Sequence, residues 1–255
     1  MAPTLNVWES MGLDEKLTGK AASLRKATAK MMDENFQELN KHVDNTSFPF
    51  FLVEKSKDLG IAGLMIKGYG SPGLNNLEAA SIYYEMAKKD GSFALFYLAH
   101  TSLGMAVISE LADEEQKRNW LPAAVKFEKI ICFGLTEPFN GSDATGLQTT
   151  ATKVEGGWRI NGRKRWIGSS TIGDLLVWAK NTNDSNKIQA FYVEQGTAGL
   201  RVEKIERKYS MRAVQNGDIV LDNVFVPNRN KLAHSKDFSS GTNKILEASR
   251  LSIAW

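Results

Sequence analysis

The chain has 255 residues, of which 42% are hydrophobic and 24% are charged. This balance is typical of a folded globular protein and excludes a disordered chain. The net charge is only +3, from 32 basic and 29 acidic residues, so we expect no nucleic-acid partner. The single cysteine, Cys132, excludes an intramolecular disulfide and is typical of a reducing compartment.

Two further properties concern membranes and targeting. No apolar run reaches the ~18 residues that a membrane-spanning helix needs, so we do not expect an integral membrane protein. The first thirty residues mix Glu9, Asp14 and Glu15 with several lysines and arginines. Because transit peptides avoid acidic residues, the sequence predicts no clear N-terminal transit peptide.

Helical patterns fill the first half of the chain. The predicted helices are Ala21–Leu39, Phe50–Leu59, Leu77–Lys89, Phe93–Ile108 and Asp113–Phe127. The fourth is apolar nearly all round, which predicts a buried helix of the core. In the fifth, Asp113 is a candidate N-cap, and we expect Pro122 to bend or end the helix.

Strand patterns begin at Ile130 and predict about seven to eight strands, enough for a small barrel or sandwich. Turns are predicted at Glu155-Gly156-Gly157 and at Asn161-Gly162, a strong hairpin signal. The predicted strands are Ile130–Leu135, Gln148–Val154, Trp158–Ile160, Arg163–Gly168, Leu175–Lys180, Ile188–Glu194, Leu200–Ile205 and Asp218–Phe225.

A last helical pattern runs from Thr242 to Trp255. The sequence therefore predicts a multi-domain protein of α and β structure. We expect an N-terminal all-α domain over residues 1–129, a β-barrel domain over residues 130–240 and a further helix over residues 241–255.

The segment CFGLTEPFNGSDATG, residues 132–146, is the most informative motif. It is typical of a strand that ends before Pro138 and is followed by a turn through Asn140-Gly141. Ser142 and Asp143 then offer a hydroxyl, a carboxylate and backbone N–H groups at one place. Backbone donors gathered at the end of a strand suit a flat, polar or phosphorylated ligand.

Three motifs resemble the acyl-CoA dehydrogenase and acyl-CoA oxidase flavoproteins. Gly134-Leu135-Thr136-Glu137-Pro138-x-x-Gly141-Ser142-Asp143-x-x-Gly146 fills every position of the first family motif, and Trp158–Gly168 and Val220–Pro227 resemble two later ones. The branch that the chain resembles most is that of the plant-type short-chain acyl-CoA oxidases and the glutaryl-CoA dehydrogenases. The resemblance implies an N-terminal helical domain, a middle β-barrel and a C-terminal helical bundle, of which this sequence supplies only the opening helix.

The resemblance also implies that the middle domain binds FAD. Donors at the polar rim of the flavin and an aromatic wall would stabilise the ring. Leu135 and Thr136 would offer backbone and hydroxyl contacts, Trp166 the wall, and Gly141 a close backbone approach. Ser142 would contact the flavin phosphate or the substrate. The alternative is a capped turn and a core tryptophan. The predicted cofactor-binding residues are Phe133, Leu135, Thr136, Gly141, Ser142, Trp166, Ile167 and Gly168, and the predicted substrate contact is Ser142.

No catalytic residue is predicted in this chain. The family removes a proton from the α-carbon of an acyl-CoA with a carboxylate, while hydride leaves the β-carbon for the flavin. That glutamate would lie beyond Trp255. Glu137, beside a proline in a turn, is expected instead to fix backbone N–H groups. Arg163-Lys164-Arg165 is expected to be a solvated face. His100 is expected to be a satisfied core histidine, and no metal site is predicted.

Two departures from the family pattern bear on the reaction. Gly168 stands where dehydrogenases commonly carry a threonine near flavin N5. This favours oxygen as the electron acceptor, although the turn alone could require a glycine. Glutaryl-CoA dehydrogenases place an arginine in the helix equivalent to Ser92–Ile108, and this chain has none there. A dicarboxylic substrate is therefore disfavoured, and a short or medium acyl chain fits better.

Two functions follow from the resemblance. The first is an FAD-dependent acyl-CoA oxidoreductase that introduces a trans-2 double bond into its substrate. The second is a non-catalytic structural or assembly subunit, because the last helix would expose an apolar face that needs a homo-oligomer or a partner chain. The peroxisome and the mitochondrion both remain open as the compartment.

Overall fold

Helices form the first half of the chain in the computed structural model, which describes residues 7–255. They are α1 (Val7–Ser10), α2 (Gly19–Asp44), α3 (Phe50–Asp58), α4 (Asn76–Ala87), α5 (Gly91–Leu98), a π-helical stretch (Ala99–Met105), α6 (Ala106–Leu111) and α7 (Glu114–Val125). Asn75 and Asp113 each close a capping box at the start of α4 and α7, which confirms the predicted cap at Asp113. Pro122 lies inside α7, which ends three residues later at Val125.

The segment Gly91–Leu111 is one continuous helix built from α5, the π-helical stretch and α6. Among residues 7–255 it is the one helix long and apolar enough to cross a membrane, but 67% of its most apolar stretch is buried inside the protein. The expectation that no such segment exists was therefore wrong. His100, Ser102 and Gly104 interrupt the run of apolar residues, but the mean hydropathy of the segment stays as high as that of a membrane-spanning helix. Its burial confirms the predicted core helix.

Seven strands form the second half of the chain. They are β1 (Ile131–Gly134), β2 (Thr150–Val154), β3 (Gly157–Ile167), β4 (Asp174–Asn181), β5 (Lys187–Val193), β6 (Leu200–Lys204) and β7 (Gly217–Pro227), and α8 (Thr242–Ile253) follows. The strands make a single mixed sheet in the order β1-β4-β2-β3-β7-β6, with β5 paired to β4. The sheet curls as half a barrel, so the predicted class, helices followed by a barrel-like sheet and a further helix, is confirmed.

The predicted hairpin at Asn161-Gly162 was wrong, because β3 runs through both residues without turning. The extra residue lies on the partner strand, where Ile160 pairs with Val224 and Gly162 pairs with Leu221. Asn161 stays in the strand because its side-chain oxygen accepts a hydrogen bond from the Asn223 N–H at 2.7 Å. The turn predicted at Glu155–Gly157 does join β2 to β3.

The long helix and β1 are joined by a buried histidine. His100 accepts a hydrogen bond from the Ile131 N–H on Nδ1 at 3.0 Å and bonds the Ala124 carbonyl through Nε2 at 3.0 Å. Its Nδ1 is therefore the unprotonated nitrogen. At Gly104 the helix approaches so closely that an added Cβ would lie 2.5 Å from the Ile131 carbonyl oxygen. This contact fixes the position from which β1 leads into the bend that follows it.

One cluster of buried apolar side chains continues from the helices into the sheet and reaches Ile245 of α8. The indole N–H of Trp178 in β4 donates to the Thr242 hydroxyl at 3.0 Å, which ties the start of α8 to the sheet. The division into residues 1–129, 130–240 and 241–255 stays a prediction.

Candidate functional site

The candidate site is a bend at the carboxyl end of β1. After Gly134 the chain turns where the N–H of Glu137 donates to the Asn140 carbonyl at 3.1 Å and the N–H of Asn140 donates back at 3.3 Å. The Asp143 carboxylate then accepts the Gly146 N–H at 3.0 Å and caps a short 3-10 turn. The Asp143 carboxylate, which the sequence places beside the free backbone donors, is thus used within its own turn.

The bend lies directly beside the segment that contains Trp166. The N–H of Arg165 donates to the Thr136 carbonyl at 2.9 Å, and the Lys164 ammonium donates to the Leu135 carbonyl at 3.1 Å. Two segments of the chain therefore meet through one main-chain hydrogen bond and one hydrogen bond from a lysine side chain, each joining residues 29 positions apart. This is the juxtaposition on which the predicted flavin site depends.

Trp166 faces solvent because β3 carries an extra residue at this point. Lys164 pairs with Ile219 and Ile167 with Gly217, so three steps on β3 match two on β7. Trp166 has a φ of 62° and is 51% exposed, both unusual for a tryptophan in a strand. Its carbonyl accepts a hydrogen bond from the Asn216 side chain at 3.0 Å. Bulges and left-handed residues of this kind often re-aim a side chain toward a site.

Several backbone donors of the bend have no acceptor in the part of the chain that the structure describes. They are the N–H groups of Thr136, Gly141, Ser142 and Asp143. Three of the four are consecutive, and the residues that carry them are exposed. Consecutive free N–H groups bind anions well, so this part of the bend suits a phosphate or a diphosphate.

Of the remaining predicted residues, three have side chains that pack in the core, and Gly141 has no atom close to its α-carbon face. Leu135 and Ile167 are buried, and the Phe133 ring packs on Trp178 with the ring centroids 4.3 Å apart. These three could touch a ligand mainly through their backbone. Gly141 has no neighbouring atom within 4 Å of a built Cβ. Close backbone approach at Gly141 thus stays a prediction.

Gly168 is not required by its backbone conformation. Its φ lies outside the left-handed region, and an added Cβ would meet no atom nearer than Val214 Cγ1 at 3.7 Å. A larger residue would therefore fit there. The turn does not explain the glycine, and the half-buried position next to Trp166 has room for a methyl group.

Beneath the bend lies a buried ion pair between Glu137 and Lys164. The side chains are 4% and 0% exposed, and Glu137 Oε1 lies 2.9 Å from Lys164 Nζ. Glu137 also accepts the N–H groups of Gln148 at 2.5 Å and Thr149 at 2.9 Å, as expected for an acid that fixes backbone donors. The expectation that Lys164 lies on a solvated face was wrong.

The pair shifts both pKa values. Burial lowers the pKa of Lys164 to about 8, and the charge of Glu137 opposes that shift. Burial by itself raises the pKa of Glu137, but the charge of Lys164 and the bonds from Thr149 and Gln148 outweigh it, so that pKa is lowered overall. Glu137 is thus an anion whose two oxygens are both occupied, and it is unsuited to act as a catalytic base.

Sequence reasoning missed Lys164 although a signal was present. Strict alternation from the buried Trp158 and Ile160 places residue 164 on the inner face of β3. The same alternation would bury Trp166, and only the extra residue reverses its direction. Asn216, which supports the Trp166 carbonyl, carries no comparable signal, because its role depends on the pairing of β3 with β7.

A cavity of about 450 Å³ lies elsewhere, between the loop at residues 65–69, the long helix and α8. None of the predicted flavin residues lines it. It is therefore separate from the candidate site.

Comparison with known proteins gives two adjoining family matches. The family model of the acyl-CoA dehydrogenase N-terminal domain matches residues 18–128, and that of the acyl-CoA dehydrogenase middle domain matches residues 132–224. A short-chain specific acyl-CoA dehydrogenase of Clostridium acetobutylicum is 30% identical over 95% of this chain. A probable acyl-CoA dehydrogenase of Bacillus subtilis is 32% identical over 88% of it. The chain spans 65% and 38% of the length of these two relatives.

Solved structures agree with these matches. A glutaryl-CoA dehydrogenase of Mycobacterium smegmatis in complex with FADH2 is 29% identical and superposes with a TM-score of 0.89. The match covers 98% of this chain and 63% of the glutaryl-CoA dehydrogenase chain. Butyryl-CoA dehydrogenase of Megasphaera elsdenii is 28% identical with a TM-score of 0.87, covering 93% and 64%. The chain therefore belongs to the acyl-CoA dehydrogenase family, through its N-terminal and middle domains.

Proposed function

We propose that the protein is an FAD-dependent oxidoreductase that dehydrogenates an acyl-CoA between its α- and β-carbons. The observation that carries the proposal is the contact between the bend and the segment of Trp166, joined by the Arg165 N–H and the Thr136 carbonyl at 2.9 Å. Family membership and the flavin complexes of its structural neighbours support the same reading.

The residues present fit an FAD molecule. The half-exposed indole of Trp166 offers an aromatic wall, and the free N–H of Thr136 offers a donor to the polar rim of a flavin. The free N–H groups of Gly141, Ser142 and Asp143 suit the diphosphate. When bound, FAD would supply a two-electron acceptor for hydride from the substrate. The chain would hold and orient the ring between these groups.

The substrate is proposed to be a short- or medium-chain monocarboxylic acyl-CoA. The long helix Gly91–Leu111 carries no arginine or lysine, so it has no cation to pair with a second carboxylate. Burying that carboxylate unpaired would be costly. The exposed hydroxyl of Ser142 is the proposed contact to the substrate.

Oxygen is proposed as the electron acceptor, as in the acyl-CoA oxidases that the sequence resembles. Gly168 is not required by its backbone conformation, and its missing side chain would leave room beside the proposed flavin for a small molecule. In such a reaction the substrate loses two electrons and two protons, and oxygen gains them as hydrogen peroxide. The variant G168T should fold normally and should slow peroxide formation while sparing the reaction with an artificial dye.

A non-catalytic subunit is the second candidate. On α8, Leu251 and Ile253 are 51% and 61% exposed, which gives a partner chain or a second copy an apolar surface to cover. No described residue is proposed as the base, since both carboxylates of the bend are engaged, Glu137 by Lys164 and two backbone N–H groups and Asp143 by the Gly146 N–H.

The test is turnover of butyryl-CoA and octanoyl-CoA by the purified, FAD-loaded protein at its full natural length, with a dye and with oxygen. We expect reduction of the dye, peroxide formation in air, and little turnover of glutaryl-CoA. Bound FAD without any turnover would instead favour the non-catalytic subunit. Failure to bind FAD would contradict both the cofactor and the activity.

A further inference from the structure

The buried pair Glu137–Lys164 lies where the proposed flavin site is built. Lys164 is two residues before Trp166, and Glu137 directly follows Thr136. The ammonium uses all three of its N–H groups, on the Leu135 carbonyl at 3.1 Å, the Trp178 carbonyl at 2.8 Å and Glu137 at 2.9 Å. It therefore connects the end of β1, the middle of β4 and its own strand, β3.

The pair also fixes the beginning of β2. Glu137 accepts the backbone N–H groups of Gln148 and Thr149 and the Thr149 hydroxyl, the last at 2.5 Å. Four segments of the sheet thus meet on two side chains that are almost completely removed from solvent. Replacing such a pair by apolar groups often leaves stability unchanged, so a buried ion pair is by itself weak evidence of a stabilising role.

The geometry of the peptide unit gives the pair a more specific consequence. In a planar trans peptide, the C=O of one residue and the N–H of the next point in opposite directions. The Leu135 carbonyl points to the buried Lys164 ammonium, so the Thr136 N–H points away from it. That N–H has no acceptor among residues 7–255, and Thr136 is only half buried.

We propose that Lys164, held by Glu137, is a positioning residue that turns the Leu135–Thr136 peptide so that the Thr136 N–H faces the bound flavin. This inference rests on the proposed function. The pair acts on the ligand only through that peptide. Its loss would let the peptide rotate and would remove one fixed donor from the rim of the ring.

The experiment compares K164M/E137Q with the natural protein. The double variant removes both charges together, so no unpaired ion stays in the core, and it should lose less stability than K164M alone, although the Leu135 and Trp178 carbonyls lose a donor. Its dissociation constant for FAD should rise about tenfold, roughly the effect of one lost hydrogen bond. At saturating FAD its flavin reduction potential should shift to more negative values, because the lost donor stabilised the reduced ring.

A matched control is K129M. Lys129 pairs with Asp174 at 2.9 Å near the opposite end of β1, so its removal disturbs the same strand far from the bend. We expect K129M to leave both the FAD affinity and the reduction potential unchanged. Equal effects of K129M and the double variant on affinity and potential would overturn the positioning role.

A second measurement needs no variant. Amide hydrogen exchange of the natural protein should show the Thr136 N–H becoming protected when FAD is added. Absence of that protection would overturn the inference, as would unchanged affinity and potential in a folded double variant. Either result would leave the proposed function standing, whereas a natural protein that binds no FAD would overturn the proposed function and this inference with it.

Discussion

The two ends of β1 differ in how fully their backbone groups are bonded and in how tightly they are packed. At the amino end, His100 and the Gly104 contact hold the Ile131 peptide, and Lys129 pairs with the buried Asp174. Backbone groups there are bonded and the packing leaves no room. At the carboxyl end the strand opens into a bend with free N–H groups and a half-exposed indole, Trp166.

The difference separates residues that hold the fold from residues that are available to a ligand. A closed end loses stability when it is changed, because each group has a partner or a neighbour in contact. The open end has spare donors and free volume, so its residues can change with little loss of stability. Lys164 is the exception, since it is part of the core and yet lies under the open end.

The largest effect is expected for the single variant K164M, which leaves Glu137 charged and unpaired in the core. We expect the free energy of unfolding to fall by about 3–5 kcal/mol. Urea denaturation measures it. K129M also removes the partner of a buried carboxylate, but Asp174 keeps the Tyr192 hydroxyl and the Gln195 N–H, and Lys129 is 47% exposed, so the loss should be smaller, about 1–2 kcal/mol. Similar losses in the two variants would show that the burial of Lys164 has no energetic weight.

A pH dependence is expected from His100. Burial lowers its pKa from 6.5 to about 4. Between pH 6.5 and pH 4, His100 therefore binds a proton in the unfolded chain but not in the folded chain. The free energy of unfolding should keep its full contribution from His100 above pH 6.5 and should decline by about 3 kcal/mol as the pH falls to 4. Urea midpoints measured across this range should show the decline, and H100Q should lack this part of it. Parallel curves for the two proteins would contradict the assignment.

Two glycines allow a direct comparison of packing. In G104A the new methyl group would press on the Ile131 carbonyl, with an expected cost of about 1–3 kcal/mol. In G141A the methyl group meets no atom within 4 Å, so the stability should change by no more than ~0.5 kcal/mol. Thermal unfolding of both variants is the measurement. An equal loss would refute the contrast between the closed helix contact and the open bend.

The smallest effect on stability is expected for W166A, since the indole is half exposed. The melting temperature should hardly change, while the dissociation constant for FAD should rise at least about tenfold with the loss of the aromatic wall. Fluorescence titration measures the affinity. Y209A removes another aromatic ring that is fully exposed, and it should alter neither property. A W166A protein that binds FAD normally would exclude the indole from the site.

Much of the fold could be predicted because local patterns agreed with the final packing. The cap at Asp113 and the apolar helix around Phe93–Ile108 both rest on nearby residues, and both were found in the structure. The Asn161-Gly162 turn was predicted wrongly, because pairing with β7 and the bond from Asn223 keep β3 extended. Local turn propensity was thus overridden by contacts that are distant in sequence.

The site shows the same limit. The motif identified the bend correctly, but the burial of Lys164 depends on strand alternation, and the exposure of Trp166 depends on one extra residue in β3. Neither follows from residue type, since lysine is usually exposed and tryptophan usually buried. The pairing register decides both.

The most direct test is a crystal structure of this chain bound to FAD. We expect the flavin ring against Trp166, with a rim oxygen about 3 Å from the Thr136 nitrogen and the diphosphate at the N–H groups of Gly141–Asp143. A flavin bound elsewhere, or a bend that stays empty at saturating FAD, would contradict it.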